Sequence, residues 1–125
     1  MLDQVEIFHG LSREALAALD ASSSSESYSK NTVVIQENEP ADALYVIESG
    51  RVKVYCSDKN GKEFIMNSLG VGDYFGELAL LDDSARSASV RTVEPCQFRI
   101  VKKEDFSKVL TDNPGITQQL LGNLA

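Results

Sequence analysis

Between Phe75 and Val90 the chain reads FGELALLDDSARSASV, a run whose charged and small residues are spaced for holding an anion. Gly76, Glu77 and Leu78 stand where a short helical pattern begins. A helix start presents unpaired backbone N–H groups and a partial positive charge, so it attracts anions. Arg86, nine residues after Glu77, brings a permanent planar cation suited to phosphate. Ser87 offers a further hydroxyl donor, and the small Ala88 leads into a β-rich run. Glu77 would repel a plain phosphate or a triphosphate. It fits a ligand with one negative charge and a neighbouring hydroxyl that a carboxylate can accept from. A cyclic nucleotide monophosphate has both, in its single phosphate charge and its free ribose 2′-OH. Two blander readings stand beside this one. Arg86 could pair with Asp82 or Asp83, and Glu77 could be a first-turn carboxylate stabilised by the helix dipole.

The elements that must position this run are mostly strands. Val33–Gln36, Leu44–Glu48, Val52–Cys56, Glu63–Asn67, Ala88–Val93 and Gln97–Val101 read as β. Val52, Val54 and Cys56 alternate with Arg51, Lys53 and Tyr55, the period of a strand with one buried face. Lys59-Asn60-Gly61 reads as a tight hairpin turn, and Asn38 and Gly72 mark others. Ser12 is a good N-cap for a helix through Asp20, with Leu11 and Leu16 on its apolar side. The serine tract 22–25 reads as a loop. From Lys103 the pattern turns helical and stops before Pro114; Ile116, Leu120, Leu121 and Leu124 form a second apolar stripe. The aromatic residues read as core or strand packing. This much predicts a mainly β chain with flanking helices.

The 75–90 run closely resembles the phosphate-binding cassette of cyclic nucleotide-binding domains, of the catabolite activator and cAMP-dependent kinase regulatory-subunit type. That pattern reads F-G-E-[LI]-[AGC]-L, a short loop, then R-[ASTV]-A-[STQ]-[VIA]. Phe75, Gly76, Glu77, Leu78, Ala79, Leu80, Arg86, Ala88 and Val90 fit it. Upstream, ENEPADALYVIESGRVKVY is similar to the family's early hairpin, with Gly50 at its centre, so the likeness covers nearly the whole chain as one domain, 1–125. The resemblance implies a jelly-roll-like antiparallel β-roll with an N-terminal helix, a short phosphate-binding helix and C-terminal helices. It implies phosphate contacts from Gly76, Leu78, Arg86, Ser87 and Ala88, and ribose contacts from Glu77 and Gly76. The implied ligand is cAMP, with cGMP left open by the hydroxyl of Ser87. An output domain, fused or separate, and a homodimer through the C-terminal helix belong to the same expectation. The residues after Lys103 begin a lid and dimerisation helix that is longer in the family, which fits a piece of a larger regulator or a module with a short tail.

Composition agrees with one regulatory module. The 125 residues are 42% hydrophobic and 25% charged, with a net charge of −7. An acidic balance with scattered Lys and Arg argues against direct DNA binding. No apolar run approaches the roughly 20 residues of a membrane helix, and no signal layout opens the chain, so the cytoplasm is the expected compartment. Cys56 and Cys96 form no C-x-x-C motif and read as small apolar strand residues kept reduced. His9 is the single histidine. One histidine and two cysteines cannot assemble a usual transition-metal or iron–sulfur site, nor a Ser–His–Asp or Cys–His catalyst. The chain therefore reads as a binding module and not an enzyme, with no cofactor beyond its ligand. The rivals are an interaction module that keeps the roll without nucleotide, and a cupin-like jelly roll, which the missing histidines disfavour.

Overall fold

The computed structural model describes residues 11–39, 42–76 and 88–112. The chain order is α1 (Arg13–Ser22), β1 (Ser24–Tyr28), β2 (Val33–Ile35), β3 (Ala43–Ser49), β4 (Val52–Ser57), β5 (Glu63–Leu69), β6 (Tyr74–Phe75), β7 (Ser89–Thr92), β8 (Cys96–Lys102) and α2 (Lys103–Asp112). The strands form two four-stranded sheets, sheet 1 ordered β1-β8-β3-β6 and sheet 2 ordered β2-β7-β4-β5, with every pair antiparallel. This is the mainly β roll with flanking helices that the sequence predicts. His9, the expected phosphate helix and the stripe at Ile116, Leu120, Leu121 and Leu124 lie outside the described residues.

The core forms between the sheets from Ala43, Tyr45, Ile47, Val52, Phe75, Val90, Cys96 and Phe98. β3 is buried on both faces. Tyr45 and Ile47 point into the roll, while Leu44 and Val46, both fully buried, belong to the opposite face, where α2 packs across β3 and β8. Two-sided burial explains why ALYVI is a continuous apolar run and not an alternating one. Each such buried side chain stabilises the fold by about 1.5–3 kcal/mol. Fully buried Phe106 belongs to α2, which also meets α1.

The Ser12 side chain caps α1 by accepting from the Ala15 N–H at 3.1 Å, as expected. The helix runs on to Ser22 and buries Leu19, with Leu16 only half-buried. Arg99 ties this helix to the sheet. Its guanidinium donates to the Ser23 hydroxyl at 3.2 Å and to Glu48 at 3.4 Å, and its Nε lies 4.0 Å from Asp20.

Several expectations need correction. The serine tract is not all loop: Ser24 opens β1, which pairs along β8 although its side chains are mostly exposed. Gln97 donates to the Ser25 hydroxyl at 2.7 Å and Ser25 donates to Glu48 at 2.8 Å, so partners distant in sequence make a strand of residues with poor intrinsic β preference. β6 was not foreseen, since two residues carry no periodicity. The 59–61 turn is wider than a two-residue hairpin. Asp58 N–H bonds to Lys62 O, Asp58 Oδ1 accepts from the N–H groups of Asn60 and Lys62, and only Gly61 takes positive φ, at 82°. Finally, Tyr55 lies on the outer side of β4 yet is buried, covered by Lys53 and Arg91. Among the described aromatic residues, Phe64 departs from core packing and stands 50% exposed on the edge strand β5. Asn38 does take the left-handed turn conformation, at φ 73°.

Candidate functional site

The segment singled out by its chemistry joins the two sheets. It leaves sheet 1 at β6 and returns in sheet 2 as β7. Its departure point is held by aromatic packing. Phe75 is buried, stacks on Tyr45 with ring centres 5.1 Å apart, and meets Phe98 edge-on at 5.5 Å. Tyr45 also meets Phe98 edge-on, at 6.1 Å. Pairs of this geometry contribute about 0.5–1.5 kcal/mol each beyond area burial. Just before β6, Asp73 accepts from Gly70 N–H at 2.9 Å and its carbonyl accepts from Ile47 N–H at 2.9 Å, so the turn is pinned to β3.

Gly76 follows Phe75 with φ 95°, a backbone region costly for residues with a Cβ. At the other end Ala88 is half-buried in a bend that leads into β7. Ser89 is buried and its Oγ accepts from Glu37 N–H at 2.9 Å. Val90 is buried in the core. Of the residues assigned from sequence, Gly76 and Ala88 are therefore the two described ends of the cassette. Glu77, Leu78, Arg86 and Ser87 lie outside the described residues. Sequence reasoning assigned Ser89 no role. A serine in a strand has no local signature of burial, so only its place in the family pattern could have drawn attention to it.

The next cation along, Arg91, is already committed. Its guanidinium grips Glu63 at 2.7 and 3.4 Å, donates to the Tyr55 hydroxyl at 3.1 Å, and lies 4.8 Å from the centre of the Tyr55 ring. Lys53 reaches the same carboxylate at 3.6 Å. The hydrogen bond from Arg91 is the main cause holding the Glu63 carboxyl below its ordinary pKa, with the Arg91 and Lys53 charges acting the same way and desolvation opposing them. The bond to Glu63 raises Arg91 in turn. This cluster is a structural clamp on the outside of sheet 2.

Cys56 and Cys96 both lie in strands, as read from sequence, and neither is joined in a disulfide. Burial pushes the Cys96 thiol up and away from reactivity. Among the described residues no group of three or more His, Cys, Asp or Glu could hold a metal ion, and no helix is long and apolar enough to cross a membrane.

The domain model described as "Cyclic nucleotide-binding domain" matches residues 25–113, most of the chain. The chain belongs to the cyclic nucleotide-binding domain family. A CRP-like cAMP-activated global transcriptional regulator from Mycobacterium tuberculosis is 32% identical to this domain over 125 residues, all of this chain and 56% of the relative. The domain thus spans about half the length of the curated relatives it matches. The sensor domain of the transcriptional regulator DNR from Pseudomonas aeruginosa superposes with a TM-score of 0.88 and 30% identity, covering 98% of this chain and 83% of that one. The regulatory subunit of a cAMP-independent protein kinase A from Trypanosoma brucei, as a triple mutant bound to cAMP, superposes with a TM-score of 0.85 and 25% identity, covering 98% and 44%. These relatives are regulators.

Proposed function

We propose that this domain binds a 3′,5′-cyclic nucleotide, cAMP in preference to cGMP, and passes the binding state to an output domain or partner. It acts as a sensor and not as a catalyst. The observation that carries the reading is the intact pair Glu77 and Arg86 in a cassette whose described ends, Gly76 and Ala88, bridge the two sheets of a cyclic nucleotide-binding fold. The fold alone does not carry it, since the Trypanosoma relative with the same roll is named as cAMP-independent. Arg86 meets the phosphate, Glu77 accepts from the ribose 2′-OH, and the backbone N–H groups of Gly76, Leu78 and Ala88 with the Ser87 hydroxyl complete the anion's partners. Arg91, five residues further on, is held by Glu63 and leaves the phosphate to Arg86. The ligand's differential affinity for two arrangements of cassette and C-terminal helix supplies the switching energy. The acidic balance leaves DNA contact to another domain, and a homodimer through the C-terminal helix and a cytoplasmic location suit this role.

Thermal unfolding with added nucleotide tests the reading. At 100-fold excess over Kd, cAMP should stabilise the domain by about 2.7 kcal/mol, and AMP and ATP far less because their extra charge faces Glu77. Arg86→Ala should weaken binding by roughly 2–4 kcal/mol while leaving the empty fold intact. No shift with millimolar cAMP or cGMP sinks the proposal.

A further inference from the structure

The hydrogen bond between Ser89 and Glu37 joins residues 52 positions apart, and its place in the sheet gives it a role. β2 pairs with β7 through Val33↔Arg91 and Ile35↔Val90, with a register shift between them. Regular pairing stops there. The next turn, Gln36–Glu39, is closed by Glu39 N–H to Gln36 O at 3.2 Å, with Asn38 at positive φ. The N–H of Glu37 finds its acceptor in the Ser89 hydroxyl, so a side chain prolongs the ladder by one bond beyond the last paired residues. On its other side Ser89 pairs with Tyr55 of β4, and the Glu37 carboxylate accepts from Ser57 N–H at 3.4 Å at the end of that strand. Ser89 is thereby held from both neighbouring strands and is 5% exposed. Ala88 is joined directly to it and has no strand pairing of its own.

We propose that Ser89 is a positioning residue for nucleotide binding: by accepting from Glu37 it sets the direction in which the Ala88 backbone N–H faces the phosphate. This rests on the function proposed above. A buried hydroxyl is needed because an alanine there would leave the Glu37 N–H without its acceptor and free the turn to move. Freed, the turn no longer defines the plane of the peptide that carries the phosphate donor, and a donor misdirected by a fraction of an ångström loses much of its bond.

Calorimetric titration with cAMP of the wild type, Ser89→Ala, Ser89→Thr and the near-isosteric Ser89→Cys, well below each protein's melting temperature, tests this. Ser89→Ala should raise Kd about tenfold, Ser89→Cys by several-fold, and Ser89→Thr by no more than about twofold, since threonine keeps the acceptor. Hydrogen exchange of the Glu37 amide in the unliganded proteins should lose protection in the same order. A purely structural serine would lower the melting temperature and leave Kd of the folded protein unchanged. Wild-type affinity in Ser89→Ala, or equal weakening in Ser89→Thr and Ser89→Ala, overturns the positioning role alone. A wild type that binds no cyclic nucleotide overturns the function and this role together.

Discussion

Replacing Gly50 by alanine probes the junction at which the chain crosses from sheet 1 to sheet 2. Gly50 connects β3 to β4 with φ 94°. A Cβ there would lie 2.5 Å from the Cys96 sulfur, 2.5 Å from the Pro95 carbonyl oxygen and 2.8 Å from the Cys96 Cα. Two of those three atoms are backbone, so no rotamer change clears the space. Gly72 is the matched control, with φ 90° and nothing within 4 Å of its would-be Cβ. Both substitutions carry the left-handed cost of an L residue, about 1–2 kcal/mol. Only Gly50→Ala adds overpacking against fixed neighbours, about 1–3 kcal/mol more. Unfolding entropy near 2.1 cal/mol/K per residue over 125 residues makes each kcal/mol about 4 °C of Tm. Scanning calorimetry should therefore show losses of about 8–20 °C for Gly50→Ala and about 4–8 °C for Gly72→Ala. Adding Cys96→Ala to Gly50→Ala should restore part of the loss at most, because the Pro95 oxygen and the Cys96 Cα remain. Equal losses at the two glycines, or full rescue by Cys96→Ala, would refute the steric argument.

Thr92 is fully buried, donates to Ser29 O at 2.7 Å and accepts from Thr32 N–H at 2.8 Å; Thr92→Val keeps the shape but orphans both groups, so chemical denaturation should show a loss of about 2–4 kcal/mol. Glu63 should titrate below its ordinary 4.5 in a carboxyl NMR experiment, and Arg91→Leu should move the midpoint up towards that value. Because the folded pKa is the lower one, the stability this pair contributes is present above the unfolded pKa and is lost as pH falls through the folded value. A midpoint unmoved by Arg91→Leu would assign the shift to another cause. A 2′-deoxy cyclic nucleotide, lacking the donor that faces Glu77, should bind at least about tenfold more weakly than cAMP in direct titration, and equal affinity would remove Glu77 from the ribose.

Much of the fold was legible because local patterns agree with it. The capping serine of α1, the start of α2 at Lys103 and six of the eight strands follow from periodicity and turn residues. β1 and β6 escaped for different reasons. Ser24–Tyr28 is a strand through its ladder with β8 and its bonds to Gln97 and Glu48, none of which is local. Tyr74–Phe75 is too short to show a period. The alternation of β4 assigned Tyr55 correctly to the outer face, but burial there comes from Lys53 and from Arg91 on another strand, which no window around residue 55 contains.

The sequence by itself determined the chemistry of the candidate site. Gly76-Glu77-Leu78 and Arg86-Ser87-Ala88 are contiguous stretches within one short run, so their donors and charges can be read in one dimension. Only the tertiary structure decided what frames that run. It set Phe75 on Tyr45 and Phe98, gave Arg91 to Glu63, and hung the turn after β2 on Ser89. Those partners stand 23 to 52 residues apart in the chain, and which of them meet depends on strand register. A shift of one residue turns every side chain to the opposite face, and it is the burial summed over the whole roll that selects one register.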